Sequence, residues 1–264
     1  MTERQKVTAL ITAGNEERHL EECISSARFA DEVLVVVDSN STDRTEEIAR
    51  AHADKVLVRP YVSAADQRNW AIPQCAHPWI LLIDSDERVT PELRDSVLKV
   101  LEADGPHDAY NCFRQNIFLG RLIKGCGWQR DIITRLYRRD RARYKPMHVH
   151  PAVIFPDGKP YSIGDISGKM LHYTVEDLDT FLLKFIRYTR WAGEDRAEKT
   201  EKVGWRHLAL RPMWRFFRQF VLYSGWRDGK AGFIICMLAA MSVFLKYARV
   251  WEKRLRESQA KDGG

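Results

Sequence analysis

Cysteine is scarce, and its pattern is unpaired. The 264 residues hold five, Cys23, Cys75, Cys112, Cys126 and Cys236, at irregular spacing and without a CxxC pair. An odd, irregular set argues against a disulfide framework and against a structural zinc site, and sets the expectation of a reducing, cytosolic compartment. The opening MTERQK leads into an apolar run too short for a signal-peptide core before Gly14 and Asn15. No GxGxxG follows an apolar run and no GxxxxGK[ST] occurs, so dinucleotide and P-loop readings are weak. RNP and KH patterns are absent as well, and no nucleic-acid partner is expected. Long uncharged runs are missing: Ala231 to Leu245 has 15 residues, whereas a membrane span needs about 20. With 15 glycines and 10 prolines, the chain is neither collagen-like nor dominated by linkers.

What is present is a globular composition, 45% apolar and 30% charged, with a net charge of +6. The excess is concentrated. Residues 205–254 carry ten lysines and arginines against two acids, so the rest of the chain is slightly acidic. Aromatic residues such as Trp205, Trp214, Phe217, Phe220 and Trp226 are interleaved with those charges, a combination suited to an anionic surface. Arg211, Arg215 and Arg218 recur at helical spacing on one stripe, with Met213, Phe217, Phe220 and Val221 on another face. That reads as an interfacial helix pair lying on a membrane. The alternative is a core helix of a small bundle with solvated arginines.

The first half alternates between two periodicities. Val7–Ile11, Val33–Val37, Lys55–Val58 and Trp79–Ile83 are short aliphatic runs, as expected of strands buried on both faces. Between them, Glu16–Phe29, Thr45–Ala53 and Ala64–Ile72 have helical composition. Ser41-Thr42-Asp43 offers a cap, Pro73 a stop, and Thr90-Pro91-Glu92 opens a further helix running to about Leu101. Strands alternating with helices predict an α/β fold built on a mostly parallel, doubly wound sheet. Such sheets bind ligands beyond the carboxyl ends of their strands. The polar clusters there are Thr12-Ala13-Gly14-Asn15-Glu16, Asp38-Ser39-Asn40-Ser41 and Asp84-Ser85-Asp86-Glu87. Asp84-Ser85-Asp86 is a DxD. Its carboxylates suit Mg2+ or Mn2+, and such an ion offsets the charge of a departing diphosphate. The competing reading is structural: Asp84 or Asp86 caps the turn before Val89, or Glu87 pairs with Arg88.

ITAGNEERHL, VLVVVDSNSTDRT, ADQRNWAI and WILLIDSDERVTPEL occur in that order at fitting separations. Together they resemble the nucleotide-binding half of inverting family 2 glycosyltransferases, whose GT-A fold is Rossmann-like. GWQRDIITRLYRRDRARY, MLHYTVEDLDTFLLKFIRYTRWAGED and GWRDGKAGFIICMLAAMSVFLKYARVWEK extend the resemblance over nearly the whole chain. They narrow it to bacterial lipopolysaccharide core glycosyltransferases that add glucose to inner-core heptose. The resemblance implies a GT-A domain over 1–175 and a C-terminal helical, membrane-associating region over 176–264. It also implies a nucleotide-sugar donor, a UDP-linked glucose in the nearest subgroup, and a glycolipid or lipopolysaccharide acceptor. Peripheral attachment to the cytoplasmic face of the inner membrane follows from the same comparison.

Roles follow residue by residue from the resemblance. Thr12, Asn15 and Glu16 lie beside the nucleotide, Asp38 binds base or ribose, and Arg68 matches an arginine near the nucleotide. Asp84, with Ser85, contacts the ribose or reaches the metal through water, and Asp86 is the main metal ligand. His172 stands where GT-A enzymes bring a late histidine to the metal, although a packed strand-end histidine is the plainer alternative. An inverting transfer needs a carboxylate base. Related sequences carry VHE where this one has His148-Val149-His150-Pro151. The resemblance points to Asp131 as the base, in Gly127-Trp128-Gln129-Arg130-Asp131, which matches the aspartate of the subgroup's GW-PD segment with Arg130 in place of its proline; an ion pair to Arg130 or Arg135 is the structural alternative. His148 and His150 suit packing or acceptor contacts better than zinc. The basic run from Arg135 to Lys145 is either solvated or directed at acceptor phosphates. Two other functions remain open on the sequence: a transferase acting on polyprenyl phosphate, and a non-catalytic nucleotide- or RNA-binding protein.

Overall fold

The computed structural model describes residues 4–146 and 152–262. His148, His150 and Pro151 lie outside the described residues. The chain divides into two compact units, one formed by 1–115 and 131–173, the other by 116–130 and 174–264.

The first unit begins with the expected alternation. It runs β1 (Val7–Ala13), α1 (Leu20–Ser26), β2 (Glu32–Asp38), α2 (Thr45–His52), β3 (Lys55–Arg59), α3 (Ala64–Ala71), β4 (Trp79–Asp84), β5 (Glu87–Val89) and α4 (Pro91–Glu102). β1 to β4 are parallel, in the order β3-β2-β1-β4. Val33 to Val37 are all buried because helices cover both faces of β2. Thr90 caps α4 by accepting from the Leu93 N–H at 3.3 Å, and Pro91 occupies the first turn. α1 is shorter than its composition suggested, because residues 14–19 form a loop at the end of β1.

Strands that the sequence reading left undescribed complete the sheet. β6 (Ala109–Phe118), β7 (Arg121–Leu122), β8 (Ile132–Arg138), β9 (Arg143–Tyr144), β10 (Val153–Ile154) and β11 (Ile163–Val175) follow in chain order. β8 adds antiparallel to β4 and β6 adds antiparallel to β8, while β5 and β11 pair antiparallel beyond them. The β6–β8 register slips at one place: Tyr110 faces Leu136, and Asn111 faces Thr134. Arg135 is the extra residue of that bulge, and a bulge turns a side chain away from the regular alternation.

The second unit holds β7, the described C-terminal helices, and a core of Phe118, Ile123, Cys126, Val175, Ile235 and Cys236. α5 (Leu178–Ala197) is capped by Asp177, which accepts from the Thr180 N–H at 2.7 Å. α6 (Arg211–Phe217) lies between two π-helical turns, Arg206–Leu210 and Arg218–Leu222. Wider turns shift the phase of the helix, and the arginines do not form a solvated stripe. Arg211 bonds the Tyr247 hydroxyl, while Arg215 and Arg218 are half-buried. The exposed face is apolar instead, with Leu210, Met213, Trp214, Phe217 and Val221.

Two helical segments are present as expected, and the second is longer than its uncharged run. α7 (Gly229–Asp262) runs 34 residues, and the segment Gly225–Ala260 is long and apolar enough to cross a membrane by length and composition. Lys246 and Arg249 end the uncharged run without ending the helix. Gly232 is needed inside it, since a Cβ there would lie 1.9 Å from the Gly225 carbonyl oxygen.

Candidate active site

Strand order reverses at β1, with β2 on one side and β4 on the other. The crevice beyond such a reversal is where doubly wound sheets take ligands. Thr12 sits at this point, in register with Val36 on β2 and Asp84 on β4. Asp38 ends β2 directly beside Gly14, where an added Cβ would meet the aspartate Cβ at 3.0 Å. Thr12, Asp38 and Asp84, drawn from three stretches of sequence, thus share one rim.

The loops on this rim brace each other. Asn15 adopts φ 55°, a conformation that asparagine tolerates better than most residues. Its side-chain oxygen accepts from the Thr42 N–H at 2.9 Å, and the Glu16 N–H donates to Thr45 Oγ1 at 2.7 Å. Asp43 accepts from the backbone N–H groups of Glu17 and Thr45 at 2.9 and 3.0 Å. It thereby ties the β1–α1 loop to the start of α2. Asp38 Oδ1 accepts from the N–H groups of Asn40 and Tyr61, both at 3.0 Å. Asp38 Oδ2 has no partner among the described residues and is the oxygen a ligand could reach.

Beneath the rim lies an alternating chain of charges. Asp84 accepts from Arg68 at 2.6 Å through Oδ1 and from Arg135 at 2.5 Å through Oδ2. Arg135 also reaches Glu87 at 2.6 Å, and Arg114 contacts Glu87 at 3.3 Å. Arg114 then grips both oxygens of Asp131 at 3.0 Å. Burial alone would raise the Asp84 carboxyl, but Arg135 and Arg68 outweigh it and hold it well below the usual range. Asp84 and then Glu87 hold Arg135 firmly protonated despite its burial. Asn69 fixes α3 against β9 by exchanging two 2.8 Å bonds with the Tyr144 backbone, which positions Arg68 one residue earlier.

The structural alternative that pairs Glu87 with Arg88 does not survive. Glu87 and Arg88 are neighbours on a strand and point to opposite faces. Arg88 turns to Glu22 at 3.3 Å, while Glu87 turns inward to Arg135 and Arg114. Ser85 and Asp86 form the turn before Val89, the Ser85 carbonyl accepts from Arg88 at 3.1 Å, and the Asp84 carboxylate is engaged by Arg68 and Arg135. Asp131 pairs with Arg114 rather than with Arg130 or Arg135. The basic run after Arg135 is also engaged internally. Arg138 pairs with Asp104, Arg139 donates to the Cys75 carbonyl, and Arg141 pairs with Asp108 and Asp157.

Asp86 meets His172 across the β5–β11 pairing. His172 stands opposite Glu87, the Tyr173 N–H donates to the Asp86 carbonyl at 2.9 Å, and His172 Nε2 lies 3.5 Å from Asp86 Oδ2. Burial lowers the imidazole pKa, but the Asp86 bond and the Asp86 and Glu87 charges outweigh it and raise it overall. Among the described residues, no group of three His, Cys, Asp or Glu side chains could hold a metal ion. A carboxylate with one further donor nevertheless fits Mg2+ or Mn2+ that is shared with substrate phosphates, since these ions rarely use an all-protein cage.

Residues 8–155, more than half the chain, match the family model for glycosyl transferase family 2. The chain belongs to that family. Among family 2 relatives, it is 28% identical over 260 residues to the lipopolysaccharide core biosynthesis glycosyltransferase LpsC of Rhizobium meliloti, covering 96% of this chain and 94% of that one. It is 29% identical over 264 residues to an uncharacterized glycosyltransferase of Rickettsia bellii, covering 96% and 88%. Among solved structures, it is similar to the mannosyltransferase PcManGT from Pyrobaculum calidifontis in complex with GDP-Man and Mn2+. That match has 16% identity, a TM-score of 0.48, and coverage of 96% of this chain and 88% of the other. The α/β architecture expected of a GT-A glycosyltransferase is present, with antiparallel strands added beside β4.

Sequence reasoning found the rim and missed what lies under it. The sequence reading does not assign Arg114 to the site, takes Glu87 only as part of the polar cluster after β4, and takes Arg135 only within a basic run or as an alternative partner of Asp131. The one available signal was their setting, because a charged residue flanked by Ile133, Leu136 and Tyr137 in a strand must find a buried partner.

Proposed function

We propose that this family 2 enzyme transfers a sugar, glucose from a UDP-linked donor, to a lipopolysaccharide core or similar glycolipid, with inversion at the anomeric carbon. The observation that carries the reading is the convergence of Thr12, Asp38 and Asp84 at the reversal point of a parallel sheet. The relationship to LpsC supports the choice of acceptor.

In this reading Asp38 Oδ2 receives the ribose or base. Asn15 and Glu16 form the nucleotide-side wall, and Arg68 and Arg135 present Asp84, with Ser85, to the ribose. Asp86 and His172 would hold Mg2+ or Mn2+, which when bound offsets the charge on the leaving diphosphate. Asp131 takes the proton from the acceptor hydroxyl as that oxygen attacks the anomeric carbon. Arg114 fixes the direction of its carboxylate. The domain over 1–175 carries this chemistry, and 176–264 rests on the cytoplasmic face of the inner membrane. The exposed Trp205, Trp214 and Trp226 and the basic excess support that placement.

A donor screen tests the proposal. UDP-glucose with Mn2+ should raise the melting midpoint more than GDP-mannose or UDP alone, since a ligand of the folded state stabilises it. Glucose transfer to purified lipopolysaccharide core with a changed anomeric configuration would complete the assignment, and a failure of every sugar nucleotide to bind would reject it. The length of α7 favours one second reading, a polyprenyl phosphate acceptor. Transfer to that lipid and not to core oligosaccharide would select it.

A further inference from the structure

The second unit contains a cavity of about 210 Å3 that the transfer reaction does not use. Its wall is apolar over Phe118, Trp128, Phe181 and Leu238, and three polar side chains, Arg215, Gln219 and Ser242, complete it. Gln219 is 5% exposed. Its amide nitrogen donates to the Cys126 carbonyl at 2.9 Å, while its Oε1 is buried with no partner among the described residues. Arg215 Nε is likewise buried without a partner, and among the described residues no carboxylate pairs with this guanidinium. Burial first, and then the Arg218 charge, make its protonated form less favourable than usual. A buried acceptor left unmatched at Gln219 Oε1 is costly, and a donor on a ligand would complete it, while the half-buried Arg215 sets a cation in the same wall.

The missing groups define the ligand. An anion must face Arg215, and a guanidinium suits phosphate. A hydroxyl must face Gln219 Oε1. An apolar chain must fill the remaining space. The cavity is below the roughly 300 Å3 of a site that holds a whole small molecule, so it accommodates part of one chain and not a multi-chain lipid body. We propose that this cavity binds one acyl chain of an anionic membrane phospholipid, with the phosphate on Arg215 and a glycerol hydroxyl on Gln219. The inference deepens the membrane reading above, and its test uses neither donor nor metal, so the two can fail separately.

Lauroyl lysophosphatidylglycerol, titrated below its micelle concentration into the full chain by calorimetry, should bind saturably at one site. Arg215→Gln should weaken binding about tenfold or more, as expected for a lost bond to a charged group. Ala239→Phe, which fills the cavity, should abolish it. Ser242→Leu supplies a milder filling if that variant does not fold, and the melting midpoint of each variant shows whether it does. Lauroyl monoglycerol, which lacks the phosphate, should bind about tenfold more weakly or worse. A brominated chain should quench a fluorescence component that Trp128→Phe removes. Absence of saturable binding, equal affinity of Arg215→Gln and the parent, or equal affinity for the neutral lipid would each overturn the proposal.

Discussion

Arg135 and Glu87 meet at 2.6 Å with both side chains almost wholly out of water, the arginine 5% exposed and the glutamate 0%. The register slip in β8 aims the arginine there, and the glutamate faces it because its strand neighbour Arg88 points the other way. Asp84 shares the same guanidinium nitrogen at 2.5 Å, so Arg135 joins both carboxylates beneath the rim, with Arg68 and Arg114 at either end.

Removing that cation should unfold the enzyme before it impairs binding. Arg135→Ala leaves Glu87 buried with the Asp84 N–H bond at 2.9 Å and the longer 3.3 Å contact to Arg114, and a broken buried pair costs about 3–5 kcal/mol. Arg135→Met combined with Glu87→Gln should recover a substantial part of that loss, because no uncompensated charge remains at Glu87. Urea denaturation of the three proteins measures it. A loss below about 1 kcal/mol in Arg135→Ala would show that the pair is not structural.

Asp86→Ala should remove metal-dependent turnover while leaving the melting midpoint close to the parent. Asp38→Ala should instead weaken donor binding, because a ribose or base contact acts in the ground state. Turnover with and without Mn2+, together with donor titration, separates the two. Near-normal metal-dependent activity in Asp86→Ala would exclude the ligand role.

Asp131→Asn should lower turnover by a factor on the order of 10² or more with little change in donor affinity. Asparagine can still accept from Arg114, so the variant should keep its fold. Full activity would move the base elsewhere.

Asp43 links stability to pH. Burial raises its carboxyl, but the bonds from the Thr45 side chain and from the Glu17 and Thr45 N–H groups outweigh this and lower it from 3.8. A group depressed in the folded state adds stability above its unfolded pKa and loses it as pH falls through the folded value. Asp43→Ala should therefore destabilise at pH 7 by no more than about 1 kcal/mol, the loss of side-chain bonds to the Glu17 and Thr45 N–H groups reduced by solvent screening. The gap should narrow below about pH 4. Denaturation curves at pH 7 and pH 3 check the sign, and a gap that widens in acid would contradict it.

The thiols should be nearly silent in the folded enzyme. Burial pushes Cys75 and Cys112 up to about 12 and Cys23 further still. The thiolate is the reactive form, so a disulfide reagent at pH 8 should label these three slowly until denaturant is added. Mass mapping of labelled peptides with and without denaturant reads this directly.

The sequence by itself determined the parallel half of the sheet. Val33 to Val37 and Trp79 to Ile83 are continuous aliphatic runs, and Thr90 with Pro91 marks the start of α4 by local chemistry. It also located Asp38 and Asp84, because a polar residue closing such a run falls at the carboxyl end of a strand. Tertiary structure decided which charges meet. Arg135 reaches Asp84 and Glu87, and Arg114 reaches Glu87 and Asp131, through antiparallel pairings and a bulge between segments far apart in sequence. No local preference encodes a register. The C-terminal arginines differ in the same way: helical spacing puts Arg211, Arg215 and Arg218 on one stripe, and packing of the second unit half-buries Arg215 and Arg218. Strand runs and caps are properties of a few adjacent residues, whereas a buried ion pair depends on which distant backbone is packed opposite.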